Sequence, residues 1–296
     1  MTSSILVFGR TGQVARELHK LGPPHGLELV FAGRETLDLS QEPDIPGFIA
    51  ARAPAAVINA AAYTAVDKAE SEPDAARRLN RDAPAAMARA CAAQDIPLVH
   101  FSTDYVFDGT KPAPYLEDDP VAPVSAYGRS KAEGEAAVTA AGGRAAILRS
   151  SWLYSAFGAN FIKTMLRLAE TREEVRVVDD QVGRPTWAED CARGALRAAG
   201  ALLDRDAGAQ GIFHLAGAGD ASWADLAEAV FQQSAARGGP QARVIRIPTR
   251  DYPTPARRPA NSRLDTGKIS NALGVAARPW RDSLAACMDE LGAARP

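Results

Sequence analysis

A glycine-punctuated turn near the amino terminus restricts the fold more than any other feature of this chain. Ile5–Phe8 is a short apolar run, and Gly9-Arg10-Thr11-Gly12-Gln13-Val14-Ala15 follows it directly. Val14, Leu18 and Leu21 then recur at helical spacing. The order is strand, tight turn, helix. Glycine lets the backbone turn sharply and come close to a pyrophosphate. The free N–H groups and positive dipole end of the helix then attract that anion. The GxxGxxA spacing therefore predicts a dinucleotide site built from Gly9, Arg10, Thr11, Gly12, Gln13 and Val14.

The alternation continues. Leu27–Phe31, Ala55–Asn59, Ile96–Phe101 and Ala145–Arg149 read as strands. Ala83–Ala93 and Ser125–Ala141 read as helices, with Pro84 tolerated in a first turn. Strands separated by helix-length segments predict an α/β fold, a Rossmann-type doubly wound parallel sheet over residues 1–150. Beyond Arg149 the rhythm loosens. Asn160–Arg172 and the Ala-rich Trp187–Leu203 read as helices, and Val175–Val178 and Ile212–Leu215 as strands. Ser222 and Asp225 resemble a capping box weakened by Asp in place of Glu, ahead of a helix running towards Gln233. Arg281–Leu291 reads as a final helix. Pro240–Arg263 carries prolines at 240, 248, 253, 255 and 259, and reads as a loop covering a ligand rather than helix or strand. Residues 151–296 are expected to form mainly a smaller C-terminal substrate-binding portion, with about 187–215 returning to the first unit.

Composition narrows the class. Hydrophobic residues make up 46% and charged residues 24%, which suits a globular chain with a sizeable core. The net charge of −2 and the lack of a basic stripe argue against a nucleic-acid partner. Cys91, Cys191 and Cys287 are far apart and odd in number, so they form no disulfide framework. His19, His25 and His214 make no metal-ligand cluster. His100 lies inside an apolar strand and reads as a core histidine. Met1-Thr2-Ser3-Ser4 runs straight into the first strand without a leader pattern, and no apolar run reaches about 18 residues. The expectation is a cytoplasmic protein with no membrane partner.

The chemistry centres on two segments. Ser102-Thr103-Asp104 ends a strand, and in a doubly wound sheet ligands bind beyond the strand C-termini. Tyr127 and Lys131, four residues apart, share one helix face. A ketone becoming an alcohol needs hydride on carbon and a proton on oxygen. Free tyrosine has a pKa near ~10, and a neighbouring ammonium lowers it. Thr103 is placed to donate to an oxygen that gains charge. The nicotinamide cofactor is read from the second strand. Arg34, helped by Arg10, suits the 2′-phosphate of NADPH, while the adjacent Glu35 leaves NADH open. Asp38, beside Leu39, is placed to bond an adenine amine or to cap a helix at Ser40. Ala60, Ala61 and Ala62 are small enough to let backbone pack against a flat cofactor.

Longer strings carry a resemblance. They are Asn59-Ala60-Ala61-Ala62-Tyr63-Thr64-Ala65-Val66-Asp67-Lys68-Ala69-Glu70, Ser102 to Gly109, Arg149 to Tyr154, Asp180 to Thr186 and Tyr252 to Ser262. Together with the glycine turn they resemble the extended short-chain dehydrogenase/reductases, and within them the dTDP-4-dehydrorhamnose reductase family, over nearly the whole chain. The resemblance implies NADPH- or NADH-dependent reduction of the C4 ketone of dTDP-4-dehydro-β-L-rhamnose. It implies Thr103, Tyr127 and Lys131 as catalytic residues. Val66, Asp104 and Trp152 match sugar-side positions, and the Arg257-Arg258 loop matches a region that closes over the nucleotide sugar. Some members form homodimers through a magnesium site, and Glu17, Glu189 and Glu290 match its ligands. Departures are mild: Ala15 replaces the third glycine, and Tyr63 stands where relatives often carry histidine. Two alternatives stay open, a sugar-nucleotide epimerase or dehydratase and a non-catalytic nucleotide-binding regulatory subunit.

Overall fold

Six short segments hydrogen-bond side by side into one parallel sheet, and everything else is arranged around it. The computed structural model describes residues 3–23 and 26–293. Met1, Thr2 and His25 lie outside the described residues. In chain order the first half contains β1 (Ser3–Phe8), α1 (Gln13–Leu21), β2 (Leu27–Ala32), α2 (Ile45–Arg52) and β3 (Ala56–Asn59). It continues with α3 (Pro73–Arg77), a π-helical turn (Arg78–Asp82), α4 (Ala83–Ala93), β4 (Leu98–Thr103), α5 (Ala126–Ala140) and β5 (Ala145–Ser150). The second half adds β6 (Leu153–Tyr154), α6 (Phe161–Ala169), β7 (Glu174–Val178), β8 (Val182–Gly183), β9 (Thr186–Trp187) and α7 (Ala188–Leu203). Last come β10 (Gly211–His214), β11 (Ala221–Ser222), α8 (Trp223–Ala235), β12 (Arg243–Ile247), α9 (Gly267–Leu273) and α10 (Trp280–Ala293).

The sheet order is β2-β1-β3-β4-β5-β10, and every pairing is parallel. The order reverses at β1, which has β2 on one side and β3 on the other. This is the switch point beyond which a crevice opens in such sheets. All four residues of β3 and the last four of β1 are buried, as expected for central strands covered on both faces. On one face α1, α7 and α9 pack through Val14, Leu18, Ile269, Leu273 and a row of α7 alanines. The small side chains of Ala188, Ala192, Ala195 and Ala199 let α7 lie close to the sheet. On the other face α2, α4 and α5 contribute Ile45, Ile49, Met87, Cys91 and Val138. A further apolar cluster gathers α6, α8, α10 and β7 around Ile162, Val177, Leu226, Phe231 and Leu284.

The fold is the predicted α/β type, with three local corrections. Pro240–Arg263 is not all loop, because Arg243–Ile247 forms β12, parallel to β7 in register Arg243↔Glu174. The prolines at 240 and 248 flank this strand rather than interrupt it, and Arg246 is held by Asp179, Asp225 and Glu228. The helix expected at Ala83 belongs to a longer helical run that begins at Pro73. Pro84 has no N–H for the carbonyl of Asn80, and the run widens into its π turn just there. The Ser222 box is complete: Asp225 N donates to Ser222 Oγ at 3.0 Å and Ser222 N to Asp225 Oδ2 at 2.8 Å. Asp at that position reaches back as Glu would.

Candidate active site

The glycine turn sits at the switch point, between β1 and α1. Gly9 has φ +107°, and a Cβ there would lie 3.2 Å from the backbone of Ala60 and Ala61. Only glycine allows the two loops to meet. The Ala60–Ala62 side is fixed in turn by Asn59, whose Oδ1 accepts from Ala61 N at 3.1 Å. Asn59 Nδ2 donates to His100 Nδ1 at 3.0 Å, so the core histidine orients the amide that shapes the loop. Gly12 begins α1 with extended backbone and no side-chain cap. The first N–H groups of α1 therefore have no side-chain acceptor, which fits them to an anion. Thr11 is exposed beside them, and Val14 is buried beneath.

The outer residues differ in how committed they are. Arg10 pairs with Glu35 at 2.7 Å, both exposed, while Arg34 is exposed nearby. Asp38 accepts from Ser40 N at 2.9 Å and Ser40 Oγ at 2.7 Å, so it acts as a cap in this state. The side chain of Leu39 is buried in the core. Gln13 accepts from Asn160 at 3.0 Å, which ties the turn to the loop after β6.

The three residues expected to be catalytic gather beyond the end of β4. Thr103 is its last residue, and its hydroxyl donates to Asp104 Oδ1 at 2.9 Å. Helix α5 brings Tyr127 and Lys131 to the same place. Its start is capped twice: Gly128 N donates to Ser125 Oγ at 3.1 Å and Ala126 N to Glu70 Oε1 at 2.7 Å. A Cβ at Gly128 would collide with the carbonyl oxygen of Tyr105. This glycine lets α5 touch the turn after β4 and places Tyr127 against Tyr105, ring centroids 5.8 Å apart. The Lys131 Nζ donates to Phe101 O at 2.5 Å.

Burial sets the protonation states. It pushes the Tyr127 phenol up to about 12, with its hydrogen bond to Thr103 working the other way. The Lys131 ammonium, one helical turn on, is held by the Phe101 carbonyl. Burial lowers Lys131 itself to about 8. Burial raises Asp104 to about 7, against hydrogen bonds from Ser262 and Thr103. His100 is driven well below its usual range by burial and by Lys131, so it is neutral.

The residues expected on the sugar side are braced by their own contacts. Trp152 stacks on Trp223 at 3.6 Å and 7°. Its φ of +48° is rare for a bulky residue and marks backbone held under strain. Val66 lies half-buried in the segment that leads to Asp67. Asp67 pairs with Arg258 at 2.8 Å and accepts from Ala256 N at 3.2 Å, which docks the proline-rich loop onto that segment. Arg257 is exposed and has no ion pair among the described residues.

A family model described as the RmlD substrate binding domain matches residues 2–293. A dTDP-4-dehydrorhamnose reductase of Sinorhizobium fredii is 46% identical over 280 residues, 94% of each chain. The chain belongs to the dTDP-4-dehydrorhamnose reductase family. Among solved structures, a family member from Clostridium acetobutylicum superposes with a TM-score of 0.90 at 36% identity, covering 98% of this chain and 99% of its own. One from Bacillus anthracis, solved in complex with NADP, gives 0.88 at 31% identity, covering 98% and 100%. This is a family of NAD(P)H-dependent oxidoreductases with the Rossmann-type fold described above. Among the described residues no helix is long and apolar enough to cross a membrane.

Two supports of this reductase site escaped sequence reasoning. Asn80, in the π turn, donates to Ser130 Oγ and to Tyr63 O, each at 3.0 Å, and accepts from Tyr63 N at 2.9 Å. It locks α5 to the Tyr63 segment. Trp223 backs Trp152 from 71 residues away, a pairing that no local pattern announces. Glu17, Glu189 and Glu290 do come together, with carboxylate oxygens within 4.8 Å of one another. Gly128→Ala is expected to destabilise the fold by about 1–3 kcal/mol and to lower turnover. Urea denaturation with a parallel rate measurement checks this; an unchanged midpoint would show that α5 has room there.

Proposed function

We propose that this chain reduces the C4 ketone of dTDP-4-dehydro-β-L-rhamnose to dTDP-β-L-rhamnose, with hydride from NADPH or NADH and a proton from Tyr127. The observation that carries this reading is the meeting of Thr103, Tyr127 and Lys131 at the end of β4, beside an uncapped helix start. The bound nicotinamide supplies hydride to the carbonyl carbon. The backbone of Gly9–Val14 and the Ala60–Ala62 loop hold the dinucleotide. Residues 1–150, with 187–215, form the cofactor side in this reading, and 151–296 mainly the sugar side.

Thr103 exchanges its bond to Asp104 for one to the carbonyl oxygen as charge builds there. The buried Tyr127 phenol is neutral at physiological pH, the form a proton donor needs. The Lys131 ammonium stabilises the phenolate left behind. Asp104 and Val66 meet the sugar, and Trp152, braced by Trp223, forms its apolar wall. Arg257 is the cation available to the diphosphate, since Arg258 is engaged by Asp67.

Purified protein given NADPH and the 4-keto sugar nucleotide is expected to oxidise the cofactor. Tyr127→Phe should lower kcat by about 10²–10⁴-fold while fluorescence titration shows NADPH binding retained. Absence of wild-type turnover would favour the regulatory-subunit reading, and unchanged turnover in the variant would remove Tyr127 as donor. Lys131 loses its charge as pH rises through about 8, so reductive kcat/KM should fall above that pH. A profile flat into the strongly alkaline range would contradict the role of the ammonium. Glu35 holds the Arg10 that a 2′-phosphate would use, whereas ribose hydroxyls can donate to its carboxylate. Glu35→Gln should therefore raise the NADPH-to-NADH ratio of kcat/KM by about tenfold, roughly the worth of one freed charge contact. Equal ratios in variant and wild type would remove Glu35 from cofactor choice.

A further inference from the structure

At the seam of α1, α7 and α10, Glu17 and Glu189 are buried and Glu290 is half-buried. Three carboxylates are a donor set that a hard divalent cation takes. The space between them is filled. The Lys20 Nζ lies 2.8 Å from Glu17 Oε2, 2.7 Å from Glu189 Oε2 and 2.8 Å from Glu290 Oε2. The ammonium donates a hydrogen bond to Glu290 Oε2 and forms ion pairs with Glu17 and Glu189, while the buried Glu17 Oε2 has no hydrogen-bond partner.

Two of the outward oxygens are also engaged. Glu17 Oε1 accepts from Ser155 Oγ at 2.6 Å, and Glu189 Oε1 accepts from Arg193 at 2.8 and 3.0 Å. The Trp187 ring lies 5.1 Å from the Lys20 ammonium and adds a cation–π face. Magnesium demands near-octahedral oxygens at about 2.0–2.1 Å. It could enter only if the ammonium left. As built, the ammonium occupies the place the metal would take.

We infer that Lys20 is the resident cation of this cluster, standing where magnesium stands in metal-dependent members of the family. It joins α1, which bears the glycine turn, to α7 and to the C-terminal helix α10. The protein is then independent of divalent ions for this linkage.

The test is a thermal melt of the full chain after EDTA treatment, titrated with magnesium chloride. The wild-type midpoint should be unmoved by either reagent. Lys20→Met leaves three carboxylates facing one another. Its midpoint should fall by about 5 °C, and millimolar magnesium should restore much of that loss. If Lys20→Met does not fold, adding Glu290→Gln removes one uncompensated charge and should return a foldable chain. A wild-type midpoint that climbs along a saturable magnesium curve, or drops in EDTA, would overturn the inference. So would a Lys20→Met midpoint equal to that of the wild type.

Discussion

Backbone contact between Gly128 and the carbonyl of Tyr105 is the constraint on which the reactive centre depends. It brings the start of α5 onto the turn that follows β4. Tyr127 and Lys131 are one helical turn apart on α5, so one contact brings Tyr127 to Thr103 and Lys131 to the Phe101 carbonyl on β4. The surrounding polar bonds all serve that approach. Ser125 and Glu70 cap the helix start, and Asn80 pins its next turn through Ser130. The π turn that presents Asn80 exists because Pro84 cannot complete an ordinary helical ladder.

Much of this was legible in the sequence, for physical reasons. The β1–α1 turn was readable because phosphate approach demands glycine at a fixed spacing. The Tyr127–Lys131 pair was readable because helical periodicity is local. The strand Arg243–Ile247 was not, because proline content masked a five-residue pattern whose stability comes from pairing with β7. The upward push of burial on the Tyr127 phenol was not legible for a related reason. Adjacency on a helix predicts that Lys131 faces the phenol. The fold instead buries both and turns the ammonium onto Phe101 O. Burial is a property of the assembled chain, and local spacing does not show it.

The second half of the chain works through long-range bracing. Trp152 is held at positive φ and stacked on Trp223, so its strain is supported by a helix far away in sequence. Arg258 and Asp67 join the proline-rich loop to the segment after β3 across 191 residues. Lys20 ties α1 to α10 in the same manner. These bonds tie segments distant in sequence to the elements around the β1–α1 turn.

The sixth strand of the sheet has a consequence for how the chain is made. β5 ends at Ser150, and its outer partner β10 begins only at Gly211. During synthesis β5 leaves the ribosome as an open edge and stays so until the residues between have emerged. An unpaired, apolar parallel strand is a template for wrong partners. Its natural cover arrives late and is only four residues long. The edge of β5 is therefore closed only by a segment that begins 61 residues after β5 ends.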